Sequence, residues 1–110
     1  MNSTQLSSIN PKTTTLDLSN SKLTVLPESI GNLTNLTELS LESNELRTLP
    51  ESIGNLTNLT TFDLNNNQLT VLPESIENLK RLTELNLIMS PISQKEQIRL
   101  KELFGNKVQF

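Results

Sequence analysis

The groups able to do chemistry in this chain are carboxylates, hydroxyls, carboxamides and amines, because its 110 residues include no Cys, His, Trp or Tyr. Without thiols there is no disulfide framework and no thiolate metal site. Without imidazole the commonest general base and metal ligand are missing, and so is any Ser-His-Asp or Cys-His nucleophile. A carboxylate pair or a Ser-Lys pair is the only catalytic option left. The expectation is therefore no enzyme, no cofactor and no metal. What stands out instead is a set of five carboxylates, Asp17, Glu38, Glu42, Asp63 and Glu84. Asp17 and Asp63 lie 46 residues apart, and so do Glu38 and Glu84.

That interval is twice the period of an internal repeat. Leu26-Pro27-Glu28-Ser29-Ile30-Gly31-Asn32-Leu33-Thr34-Asn35-Leu36-Thr37 returns letter for letter as Leu49 through Thr60, an offset of 23. A diverged third copy begins at Leu72-Pro73-Glu74-Ser75-Ile76-Glu77-Asn78-Leu79. Aligned on this period, four units start at Thr13, Leu36, Leu59 and Leu82. Within a unit, Leu39-Ser40-Leu41 alternates apolar and polar residues, as a short strand with one buried face does. Pro27, Pro50 and Pro73 cannot continue a strand and suit the first position of a helical turn. Each unit should be one strand, a bend and a short helical or 3₁₀ return. Strands are expected near 15–18, 38–41, 61–64 and 84–87. One unit alone cannot offset its ordering entropy, so neighbours must stack, sharing a core and strand hydrogen bonds.

The second unit places Leu36, Leu39, Leu41, Asn44 and Leu46 in the order L-x-x-L-x-L-x-x-N-x-L, followed by Leu49, Ile53 and Leu56. Here the chain resembles the leucine-rich-repeat family, of the 23-residue LPxxIxxLxxL type found in bacterial and intracellular proteins. The resemblance covers about residues 13–92. It implies an α/β solenoid with a short parallel β-sheet on the concave face and short helical or 3₁₀ segments on the convex face. It also implies that the Asn of each repeat forms an inward ladder that satisfies backbone groups at the turn. Asn44 and Asn67 occupy that place, and Ser21 and Ser90 hold it in the outer units. All four read as structural.

On this arrangement the outward strand positions form the concave wall. It carries Asp17, Glu38, Glu42, Asp63 and Glu84 and none of the nine Lys and Arg residues of the chain. Aligned acids focus a negative potential and favour a basic protein partner; the competing reading is a solvated face that maintains solubility. Asp17 and Asp63 would stand ~10 Å apart across two strand spacings, too far for one compact Ca²⁺ or Mg²⁺ site. Ile88 and Met89 break the polar pattern. Either the C-terminal segment covers them or they form a small apolar contact patch. The Asn-Leu-Thr sequons at Asn32, Asn35, Asn55 and Asn58 recur because the repeat recurs, and their side chains are expected to shape turns.

The chain is expected to be one domain: residues 1–12 an N-terminal cap or tail, 13–92 four repeats with the last incomplete, and 93–110 a C-terminal cap. Ser93-Gln94-Lys95-Glu96 has capping-box spacing. The capping helix it opens should run to about Phe104, with Ile98, Leu103 and Phe104 inward and Gly105 at its end. Recruitment of a partner by that helix is the alternative. Val108 and Phe110, alternating around Gln109, suit a short extended cover. At the other end only Leu6 and Ile9 are available, and residues 1–5 should be loose. The weak N-terminal edge admits self-association, so a monomer or weak homo-oligomer is expected. The net charge of −3 and the lack of a basic patch argue against nucleic acid. No secretory signal or membrane-spanning run is legible, so a cytoplasmic location with no membrane partner is expected.

Overall fold

The computed structural model describes residues 1–110. Five short strands, β1 (Thr15–Asp17), β2 (Glu38–Ser40), β3 (Thr61–Asp63), β4 (Glu84–Asn86) and β5 (Val108–Gln109), form one sheet in chain order. All pairs are parallel, and the first four strands align in steps of 23 residues: Thr15 with Glu38, Glu38 with Thr61, Thr61 with Glu84. Parallel neighbours need a crossover. The three crossovers from β1 to β4 are each a bend and a 3₁₀ turn, Glu28–Asn32, Glu51–Asn55 or Glu74–Asn78, entered through extended Pro27, Pro50 or Pro73, and the fourth, from β4 to β5, runs through a helix at Gln94–Phe104.

The side chains between sheet and 3₁₀ turns make a single core of 27 apolar residues. Phe62 takes a Leu position of the repeat and is fully buried with Leu39 and Leu85 beside it in register. On the return side the coils approach closely enough to require glycine. A Cβ at Gly54 would stand 2.5 Å from Ser75 Cβ, and one at Gly31 would stand 2.7 Å from Ser52 Cβ. Ser52 and Ser75 fasten the same contact by donating to the carbonyls of Glu28 and Glu51, at 2.7 and 2.6 Å.

The inward ladder has three members. Asn44 accepts from the backbone N–H groups of Ser21 and Leu23 and donates to the carbonyls of Leu18 and Leu41, spanning two coils. Asn67 accepts from Leu46 N–H and donates to Leu41 and Leu64. Ser90 continues with one atom, accepting from Asn67 N–H and donating to Leu64 O. Ser21 does not belong: its hydroxyl turns back to Ser19 O on an exposed bend, and its coil, at the edge of the sheet, has no preceding coil whose carbonyl it could bond. Asn67→Ala should lower the unfolding free energy by ~1–3 kcal/mol, since buried carbonyls and an N–H lose their partner. An unchanged urea midpoint would show that water replaces the carboxamide without loss.

Both ends differ from the sequence expectation. Asn2 to Gln5 belong to a capped helical turn. Ser3–Ser7 is a helical turn, α1, closed by a reciprocal capping box between Asn2 and Gln5, and it seats Leu6 in the core. The outermost strand is still imperfectly covered: Leu16 is half-buried, and the buried Ser29 hydroxyl has no hydrogen-bond partner. At the other end α2 (Gln94–Phe104) is capped by Ser93, but the capping box is half made. The Glu96 carboxylate does not return to Ser93. It accepts from Leu72 N–H at 2.8 Å and takes a two-pronged bond from Arg99 at 2.7 and 2.8 Å, while Arg99 also reaches Leu72 O. This fixes the helix phase. Glu96, Leu100 and Phe104 face inward, whereas Ile98 and Leu103 are exposed, contrary to the stripe inferred from sequence.

The Arg99 guanidinium, through its hydrogen bonds, holds the Glu96 carboxyl below its ordinary value of 4.5, against the opposing effect of burial. A depressed carboxyl contributes stability that is present above the unfolded pKa and lost as pH falls through the folded one. Glu96→Gln should therefore cost ~1.5–3 kcal/mol at neutral pH, and the difference from the natural chain should shrink as pH drops below the ordinary carboxyl value. A difference constant from pH 7 to pH 3 in urea titrations would rule out the ion pair as its source.

Candidate functional site

The open face of the sheet is built by alternation. Leu39, Phe62 and Leu85 point inward from the strand centres, so the residues on either side of them point to solvent. Three columns result. Thr15, Glu38, Thr61 and Glu84 align in one, and Asp17, Ser40, Asp63 and Asn86 in the next. Ser19, Glu42, Asn65 and Ile88 continue in the third by the same 23-residue step. No two acids are neighbours within a column; each is separated from the next by a hydroxyl or carboxamide. Acids on adjacent strands sit diagonally, roughly 8 Å apart at the strand spacing and rise of a parallel sheet. The five acids are thus staggered, none of them paired in register with another. A shallow depression of about 230 Å³ lies over the first three strands, lined by Asp17, Glu38, Ser40, Thr61 and Asp63 among others.

Hydrogen bonds tie the coils together at the start of each strand. Thr37, Thr60 and Thr83 each donate a hydroxyl to the carbonyl of the preceding Thr, 23 residues back. The middle column closes the strand ends: Asp17, Asp63 and Asn86 accept from the N–H two residues on, at 2.9, 2.9 and 3.0 Å. Asp17 accepts from the Ser19 hydroxyl and from its N–H, which hold its carboxyl below the usual carboxylate value. Asp17 and Asp63 are therefore turn formers as well as surface charges, a role the sequence reading missed. The signal was present, since Asp followed two residues later by Ser or Asn at a strand end is a common Asx-turn. Glu38, Glu42 and Glu84 make no such bonds.

The fifth strand adds a row. Val108 and Gln109 pair with Leu85 and Asn86, and exposed Lys107 precedes them at the end of a 3₁₀ turn, Gly105–Lys107. The same strand reaches Leu87, whose N–H donates to Gln109 O, but does not extend over the next two residues. Ile88 and Met89 are 37% and 70% exposed, so the C-terminal segment does not bury this pair. Two of the four sequon asparagines act between coils: Asn35 donates to Pro11 O and Asn58 to Thr34 O. The residues present include no group of three or more metal-ligating side chains placed to hold an ion. No helix is long and apolar enough to cross a membrane.

A repeating strand and 3₁₀ return, stacked in parallel around an aliphatic core with an asparagine ladder at the turn, defines a leucine-rich-repeat solenoid, a scaffold that generally serves protein–protein interaction and not catalysis. Residues 14–105 match the family model for a leucine-rich repeat region, and the chain belongs to that family. Among solved structures it is similar to a leucine-rich-repeat protein of Leptospira interrogans, with 46% identity and a TM-score of 0.84 over 88% of this chain. It is also similar to a TDR receptor, at 32% identity and a TM-score of 0.70 over 79%. An internalin of Listeria monocytogenes, at 21% identity and a TM-score of 0.74 over 91%, shares the fold. The chain spans only 25%, 16% and 31% of those three proteins. A comparison with curated proteins gave no match.

Proposed function

We propose that this chain is a protein–protein interaction module that takes a basic surface of its partner on the open face of its sheet. The observation that carries the reading is the placement of Asp17, Glu38, Glu42, Asp63 and Glu84 on one face whose four repeat rows contain no Lys or Arg. Rim charges of this kind act mainly on encounter, so affinity should fall with added salt. The test uses Glu38→Lys with Glu42→Lys, two side chains without intramolecular bonds, and Asp63→Asn, which keeps the turn acceptor. The intact chain and the variants are compared in a pull-down, and binding kinetics are then measured on the recovered partner. Association should slow by roughly tenfold or more, with a smaller change in dissociation. A partner indifferent to salt and to all three substitutions would reduce the acidic face to a solubility device.

A second reading is favoured by the N-terminal end. β1 has no neighbour on its outer side, Leu16 is half-buried and the Ser29 hydroxyl is unpaired. Self-association through that edge would pair β1 and cover Leu16. It predicts a concentration-dependent sedimentation coefficient that Thr15→Pro abolishes.

A further inference from the structure

Ile88 and Met89 stand where the repeat elsewhere places polar residues. The column of Ile88 is otherwise Ser19, Glu42 and Asn65. The column of Met89 is otherwise Asn20, Ser43 and Asn66, and all four of its members have positive φ, between 53° and 63°. Asn tolerates that left-handed conformation well, whereas an unbranched apolar residue there is uncommon and gains nothing for the fold. Its side chain is not spent on the core either: Met89 is the most exposed of the large apolar residues, at 70%. Single exposed apolar residues such as Val25 and Ile98 are ordinary on a protein surface. Two adjacent ones that border an acidic sheet face, at a position with no folding rationale, point to a contact.

We infer that Ile88 and Met89 form an apolar anchor site on this face. Its occupant is a basic protein segment that carries a large apolar side chain, best an aromatic one, two or three residues from its cationic cluster. The inference rests on the acidic-face reading above, which supplies the charge complementarity. The spacing comes from the sheet. Glu42 and Ile88 share a column two strands apart, about 10 Å, and Asp63 lies one strand and two residues away, roughly 8 Å. An extended segment covers that distance in about three residues at its rise of ~3.3 Å. Methionine sulfur contacts aromatic edges favourably, and its unbranched chain adapts to different shapes, which suits an exposed anchor. Charge would then govern encounter, and the apolar contact would govern residence.

The test uses two synthetic peptides, five lysines followed by Gly-Phe and five lysines followed by Gly-Ser, titrated against the intact chain by calorimetry or fluorescence anisotropy. The Phe peptide should bind about three- to thirtyfold more tightly, and its advantage should persist at 0.5 M salt while both affinities fall. Met89→Asn should remove the advantage and leave the Ser peptide unchanged. Because Asn suits the positive φ, this variant should melt no lower than the natural chain, which separates loss of the anchor from loss of the fold. Ile88→Ser with Met89→Asn should reduce the two peptides to equal affinity. Equal binding of both peptides to the natural chain, or a Phe preference that survives the double variant, overturns the anchor and leaves the acidic face standing. Binding of neither peptide at low salt overturns both.

Discussion

A chain carrying Leu64→Ala is expected to unfold with ~2–5 kcal/mol less free energy than the natural sequence, measured as a lower urea midpoint at unchanged slope. Leu64 is fully buried, and its coil is flanked on both sides by others. Its N–H donates to Asn86 O, and its carbonyl receives the Asn67 carboxamide and the Ser90 hydroxyl. Those bonds fix the backbone on either side, so neighbouring coils cannot settle into the space left by the missing isobutyl group. The same change at half-buried Leu16 should cost less than half as much, because solvent already reaches that end of the core. Equal losses at the two positions would contradict the graded burial along the solenoid.

Removal of residues 93–110 should have the larger consequence, loss of cooperative unfolding and aggregation in place of a shifted midpoint. The segment supplies α2, the fifth strand and the core residues Leu100, Phe104 and Val108. Without it Leu85 and Leu87, both fully buried, would face water, and β4 would become a bare parallel edge. Leu72 would also lose the acceptor for its N–H and the donor to its carbonyl. Light scattering and a circular-dichroism melt report the outcome. A monomeric shortened chain with the original melting curve would mean that the helix is an independent tail, and would return it to consideration as a recruiting element.

The solenoid was legible in the sequence because one 23-residue step sets strand register, core and turn together. Once Leu39 is placed inward, the direction of every outward residue in the first four rows follows. What could not be read was local competition among polar side chains. Glu96 has the spacing of a capping-box partner for Ser93, yet Leu72 and Arg99 claim its carboxylate, and that rotates α2. With Ile98, Leu100, Leu103 and Phe104 distributed around an 11-residue helix, apolar pattern alone does not choose between phases. Ser21 stays out of the ladder for a different reason: each ladder side chain bonds a carbonyl of the coil before its own, and the first coil, at the edge of the sheet, has none to reach. The N-terminal turn was missed because Asn2 and Gln5 were not paired as a capping box. Of the candidate site, the charges were legible and their placement on one face followed from the period. The uncovered state of Ile88 and Met89 depended on how far the fifth strand extends.

The glycines of the 3₁₀ turns bear on how such a chain can change length over evolutionary time. Gly31 and Gly54 are followed by a coil whose serine leaves no room for a Cβ, whereas the third copy has exposed Glu77 in their place. An in-frame duplication of residues 36–58 would carry Gly54 with it and insert a coil that accepts a successor. A duplication of residues 59–81 would set the Cβ of Glu77 against the serine of the new coil. Growth is therefore open from the middle of the gene and blocked near the last repeat, so longer descendants should add binding surface between their two ends while inheriting both caps unaltered.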